Sequence, residues 1–146
     1  VTGDRSAAFT ASMGELFAAW DLPRATGRVY GLLLITDDPL SLDAIGERLG
    51  LSKAAVSPAV RQLNSWGLAR SLPQPGSRRL LVEAAGGLES LLEASHVRAR
   101  ALIAALREGE DLAAPGPARE RLRDVVDLFT GYVEAGEHLL ARRRAR

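Results

Sequence analysis

The sequence predicts a mainly α-helical chain that carries one small β-hairpin. Apolar residues recur at helical spacing towards both ends of the chain, two Ser-to-Gly brackets enclose short helices in its middle, and a turn of two prolines and a glycine separates two short runs suited to strands.

Phe9, Met13, Leu16, Phe17 and Trp20 fall four, three, one and three residues apart, which puts one apolar stripe on a first helix. Asp21-Leu22-Pro23 interrupts it. A second helix starts near Pro23, where the missing N–H costs nothing, and ends before the turn formers Thr36-Asp37-Asp38-Pro39. Its apolar run, Val29 to Ile35, marks it as the most buried helix.

Ser41 is placed to cap a short helix that Gly50 closes, and Ser52 caps the next, Lys53 to Trp66, with Gly67 as a left-handed stop. Two short helices joined by Gly50-Leu51 form a helix-turn-helix. Leu68 to Leu72 and Arg79 to Glu83 then flank Pro73-Gln74-Pro75-Gly76-Ser77, a segment that forbids helix and favours a hairpin, or wing. After Gly86-Gly87, Leu88, Leu91, Leu92, Ala99, Leu102, Ile103 and Leu106 hold helical spacing; Gly109 to Pro117 is expected to break that helix. A last helix carries Leu122, Val125, Val126, Phe129, Tyr132, Val133 and Leu140.

The expected fold is thus mainly α with a small β-hairpin: a winged helix-turn-helix core over residues 23–86, an N-terminal dimerisation helix over 1–22 and a C-terminal helical dimerisation region over 87–146. The outer helices carry apolar stripes longer than a small core covers on one side, so a two-fold partner is expected to bury the rest and set two copies of the Lys53–Trp66 helix about one DNA turn apart.

Charge narrows the function. From Arg48 to Val82 there are 35 residues without Asp or Glu, yet Arg48, Lys53, Arg61, Arg70, Arg78 and Arg79 give this segment +6 in a chain whose total is +1. Such a segment suits a polyanion, because no neighbouring carboxylate competes with phosphate for the cations. On the Lys53–Trp66 helix, Val56, Val60 and Leu63 face inward, while Lys53, Ser57 and Arg61, flanked by Ser52, Ala54 and Pro58, face out. Small and basic side chains let a helix backbone approach base edges in a major groove. Pro58 costs about 3 kcal/mol in a regular helix interior and removes the bond to the Ala54 carbonyl. The wing adds Arg70, Gln74, Ser77, Arg78 and Arg79 to the candidate DNA-binding residues. Alternation along its second strand would send Arg78 and Arg79 to opposite sides, one of them towards a minor groove.

Arg142, Arg143, Arg144 and Arg146 form a second basic cluster, which meets the dipole of the last helix favourably. Glu89 with Glu93 and Glu134 with Glu137 read as solvated helix faces. With no Cys, His96 and His138 on different helices, and no metal-ligand spacing or glycine-rich phosphate loop, the sequence supports no enzyme, metal or cofactor. The longest apolar run is too short to span a bilayer and the polar start lacks a signal-peptide pattern, so no membrane partner and a cytoplasmic location are expected.

Gly27 to Leu34, Leu40 to Ser57 and Trp66-Gly67-Leu68 together resemble the MarR superfamily, and the glycine- and arginine-containing second helix with the Pro75-Gly76-Ser77-Arg78-Arg79 wing is most similar to its GbsR-type branch. The resemblance covers residues 20 to 85, and Pro58 departs from the family's usual recognition helix. It implies a dimeric transcriptional regulator, with interlocking terminal helices, whose hold on DNA responds to a small ligand. The expected function is that of a sequence-specific double-stranded DNA-binding homodimeric repressor; the alternative is a winged-helix protein-interaction module that binds no DNA. An effector site is expected near Trp20, Arg24, Arg28 and Tyr30, where aromatic surface and two guanidiniums suit a small, partly anionic molecule. The structural alternative for Arg28 is a salt bridge to Asp21 or another carboxylate.

Overall fold

The protein is described here by a computed structural model covering residues 2–146; Val1, at the start of the expected N-terminal region, lies outside it. The elements among these residues run α1 (Thr2–Ala19), α2 (Arg24–Leu34), β1 (Leu40–Ser41), α3 (Leu42–Leu49), α4 (Lys53–Ser65), β2 (Ala69–Pro73), β3 (Leu80–Ala84), α5 (Leu88–Leu112) and α6 (Pro117–Arg144). They fall into two compact units, one running through Gly87 and the other Leu88–Arg146, so α1 packs within the winged unit. No helix of the described residues is long and apolar enough to cross a membrane.

In the first unit α2 is the buried helix, as its apolar run predicts, with Val29, Tyr30, Leu32 and Leu33 inside. It meets α1 at unusually short range. A Cβ on Gly27 would lie 2.5 Å from the Met13 carbonyl oxygen and 2.8 Å from the Phe17 side chain, and one on Gly31 would lie 3.0 Å from Met13. Only glycine lets the two backbones come this close. Phe17, 1% exposed, thereby reaches past α2 to Trp66 at the end of α4, with ring centroids 6.1 Å from Tyr30 and 6.5 Å from Trp66. These separations suit tilted aromatic pairs. One side chain of α1 thus joins the core of the helix-turn-helix.

The helix-turn-helix forms as its caps require. Ser41 accepts from the Ala44 amide at 3.1 Å and Ser52 from the Ala55 amide at 3.3 Å, each satisfying a donor that the helix start leaves free. Gly50 and Gly67 take the left-handed conformation at φ 66° and 74°. Ile45, Leu49, Val56, Val60 and Leu63 close the core against α2.

The wing is part of a three-stranded antiparallel sheet of order β1-β3-β2, with Leu40 opposite Val82 and Ser71 also opposite Val82 on the other side. The sequence predicts only the hairpin. Two residues of β1 are too few to show an alternating pattern, and Ser41 is already committed as a helix cap. The hairpin strands also sit one residue later than expected. Pro73 ends β2, where an edge strand tolerates the missing N–H, and β3 begins at Leu80.

In the second unit α5 and α6 run antiparallel around Ile103, Val126 and Val133, with Ala99, Leu106 and Phe129 packed on them. The helix expected to break at Gly109 continues to Leu112. Arg119 donates to the Glu110 carbonyl at 3.2 Å and Arg123 pairs with the Glu110 carboxylate at 2.8 Å, so contacts from α6 complete the last turn of α5 and override the glycine. Further ion pairs join the two helices: Arg100 with Glu137, Arg144 with Glu93, and Arg143 with Glu89 at 2.9 Å. Glu89, Glu93 and Glu137 are therefore cross-helix partners and not merely solvated carboxylates. Two arginines of the C-terminal cluster are spent on them.

Two outcomes follow from this packing. Gly27→Ala is expected to lower stability by about 1–3 kcal/mol through overpacking against α1, read as a lower urea midpoint at unchanged slope; an unchanged midpoint would show that α1 does not lie on Gly27. The second concerns acid. The Glu89 carboxyl is held below the usual range by its own backbone amide and by Arg143, and that of Glu137 by the Arg100 guanidinium. A carboxylate with a lowered folded pKa contributes stability above its ordinary pKa and loses it as pH falls through the lowered value. Melting followed from pH 7 downward should thus show the contribution lost only on the acid side of the ordinary carboxylate range. Because these groups are solvent-accessible, 1 M salt should shrink the effect, and a loss already complete above that range would contradict the pairing.

Candidate nucleic-acid interface

The outward side of α4 is built by the same periodicity that buries its inner side. Val56, Ala59, Val60 and Leu63 are buried; Ser52, Lys53, Ala54, Pro58 and Arg61 are exposed, and Ser57 is half-buried. Of the residues expected to face out, Ser57 is thus the one that is partly covered. Pro58 lies inside a continuous helix, on that outward side. Having no N–H, it leaves the Ala54 carbonyl without the amide that would normally follow one turn later.

The hairpin connection holds Gln74, Ser77, Arg78 and Arg79, all exposed. Gly76 at φ 74° makes the reversal, the Ser77 amide donates to the Gln74 carbonyl at 3.1 Å, and the Arg79 amide donates to the Ser77 hydroxyl oxygen at 3.0 Å. Both arginines precede β3, so the expected alternation between opposite sides does not govern them. The turn does.

Arg70 differs from the other basic residues of the wing. It stands opposite Glu83 in the ladder and forms an ion pair with it, Nη2 to Oε1 2.5 Å and Nε to Oε1 3.0 Å. Its charge is matched by the first carboxylate beyond the acid-free run. Among the described residues, Lys53, Arg61, Arg78 and Arg79 take part in no ion pair, whereas Arg24 and Arg70 in the same unit both do. Within the acid-free run, α4 and the wing turn thus carry cations that no carboxylate matches. Arg48, at the end of α3, is a further exposed cation that the acid-free run signals and the candidate set omits.

Residues that hold this surface in place were not legible as functional. Gln62 accepts from the buried Thr26 hydroxyl at 2.7 Å, tying α4 to α2, and Asn64 donates to Ser71 at 2.8 Å, tying α4 to the wing. Thr26, a polar residue within the buried stretch of α2, was the available signal. Of the four residues expected around an effector, three are engaged elsewhere. Tyr30 is 1% exposed in the core, Arg24 pairs with Glu15 at 2.8 Å, and the half-buried Arg28 donates to the Leu49 carbonyl at 2.6 Å. Arg28 thus finds a backbone acceptor, not Asp21 or another carboxylate. Trp20 presents a large apolar surface, 62% exposed beside Phe17.

The fold and surface together are those of a winged helix-turn-helix protein. No protein-family model matches the chain. A putative HTH-type transcriptional regulator of Bacillus subtilis (strain 168), YvaV, is 29% identical over 75 residues, which is 51% of this chain and 42% of that relative, so the match spans less than half of its length. A solved structure described as a transcriptional regulator aligns over 97% of this chain and 99% of its own, with a TM-score of 0.63 and 27% identity. The zinc-responsive MarR family member ZitR of Lactococcus lactis aligns over 78% of this chain and 76% of its own at 17% identity and a TM-score of 0.40, a likeness too distant to fix family membership. The chain is thus similar to transcriptional regulators.

Proposed function

We propose that the chain is a sequence-specific, double-stranded DNA-binding transcriptional regulator of the MarR type, nearest in its second helix and wing to the GbsR-type branch, and that it works as a homodimer. One observation carries the reading: the unpaired cations Lys53, Arg61, Arg78 and Arg79 lie on an outward helix and a hairpin turn, with short Ala54 and Ser57 between the helix cations. That helix presents small side chains to base edges and its cations to phosphate or guanine, and the turn reaches the flanking backbone or minor groove. A protein-docking surface of the same fold would have no need to exclude carboxylates over 35 residues.

The dimer is supported by apolar side chains that each unit leaves uncovered. On α6, Leu128 at 70% exposure, Tyr132 at 73% and Leu139 at 49% form a second stripe beside the buried Val126, Val133 and Leu140. On α1, Leu16 and Trp20 are 50% and 62% exposed. A two-fold partner covers such stripes with the same surfaces of its own. An effector of this regulator would act by favouring one spacing of its two α4 helices.

Titration with duplex DNA at several salt concentrations tests the reading. Arg61→Ala and Arg79→Ala are each expected to weaken binding, by about 1–3 kcal/mol where a base contact is lost and with a salt slope shallower by about one where a phosphate contact is lost. Removing the neutralised pair together, Arg70→Gln with Glu83→Gln, should change affinity little. No binding by the unaltered protein at low salt would favour the protein-interaction module instead. Sedimentation should show a dimer at micromolar concentration, and a monomer with and without DNA would remove the dimer from the account.

A further inference from the structure

Arg28 occupies an unusual position. Its guanidinium crosses from α2 to the C-terminal end of α3 and donates to the Leu49 carbonyl, one of the four carbonyls that the end of a helix leaves without an amide partner. Leu49 is followed at once by the turn Gly50-Leu51-Ser52 and then by Lys53 and Ala54 at the start of α4. The contact therefore fixes the turn from which the outward residues of α4 set off. Its route is also built: a Cβ on Gly14 of α1 would lie 2.7 Å from the Arg28 Cγ, so the stem of the arginine passes through space that Gly14 leaves empty.

The other end of α4 has its own tether to α2, the 2.7 Å bond between Thr26 and Gln62. Pro58 lies between the two tethers. Lacking the amide that would bond to the Ala54 carbonyl, it leaves the first turn of α4 joined to the rest by one fewer hydrogen bond. The direction of that turn then depends more on what holds its outer end.

We propose that Arg28 is a positioning residue for DNA recognition: by clamping the Leu49 carbonyl it sets the orientation of the first turn of α4, which Pro58 leaves joined to the rest of the helix by one fewer hydrogen bond. The proposal rests on the DNA-binding reading above for its consequence, but the clamp itself is a property of the free protein. Arg28 touches no base or phosphate in this account. Its loss leaves Arg61, Arg78 and Arg79, the cations outside that turn, in place and misdirects the first-turn residues that read sequence, so it costs discrimination far more than general affinity.

Two readouts separate these levels, each made on the unaltered protein, Arg28→Gln, Pro58→Ala and the double variant. In the free protein, amide hydrogen exchange across residues 50–57 should accelerate in Arg28→Gln, and the acceleration should be largely suppressed when Pro58→Ala restores the missing bond. Unchanged exchange in Arg28→Gln would overturn the clamp whatever the protein binds. With DNA, the affinity ratio between a duplex selected from a random pool and a scrambled duplex should fall in Arg28→Gln on the order of tenfold, comparable to one mismatched base pair, while affinity for the scrambled duplex and the salt slope stay as they were. In the Pro58→Ala background the same substitution should cost much less of that ratio. An unchanged ratio, or an equal loss in both backgrounds, would overturn the positioning role. Failure of the unaltered protein to bind any duplex, with the exchange result intact, would instead sink the DNA reading and leave the clamp standing. Should Arg28→Gln fail to fold, Gly14→Ala keeps the guanidinium and displaces its stem, and it is expected to reproduce both effects; if it reproduces neither, the proposal falls.

Discussion

The close approach of α1 to α2 governs the first unit. Gly27 and Gly31 remove the side chains that would hold the two backbones apart, and Gly14 does the same from the opposite side. Because of that approach Phe17 reaches Tyr30 and Trp66, so a helix outside the winged core becomes part of it. It also lets the stem of Arg28 lie against α1 on its way to Leu49. The Arg28 stem thus links the α1–α2 contact to the turn that launches α4. Dense packing has few intermediate arrangements, so such a contact transmits displacement and does not absorb it.

Six arginines fasten the structure through carboxylates: Arg24 with Glu15, Arg70 with Glu83, and Arg100, Arg123, Arg143 and Arg144 across the α5–α6 pair. Lys53, Arg61, Arg78 and Arg79 on α4 and in the wing turn have no such partner and lie in a run without Asp or Glu. Exposed ion pairs contribute little stability each, and the larger consequence of this division is where it leaves net charge. On the proposed DNA-binding reading, positive charge on that helix and hairpin would steer a polyanion towards them.

Much of this was legible in sequence because it is local. Ser41 and Ser52 announce helix starts, Gly50 and Gly67 announce stops, and the outward face of α4 follows from the positions of Val56, Val60 and Leu63. What was not legible depends on partners distant in the chain. Leu40 and Ser41 become a strand only because β3 is there to pair with them, and the helix runs past Gly109 because Arg119 and Arg123 reach the next residue, Glu110, from α6. Arg28 could not be assigned from composition, since its acceptor is a backbone carbonyl, which every residue carries. Arg70 looked like the other basic residues of the wing until the ladder register placed Glu83 opposite it. In each case the deciding interaction is long-range, and no residue type marks it.

On the proposed reading, one face, made of the first turns of α4 and the wing turn, meets DNA. Backbone amide shifts followed by NMR during titration with a selected duplex test it most directly. The account predicts that the largest changes fall within residues 52–61 and 74–79, with the α1 and α6 residues Leu16, Leu128 and Tyr132 little affected. Changes centred on α1 or α6, with residues 52–61 and 74–79 unmoved, would contradict it.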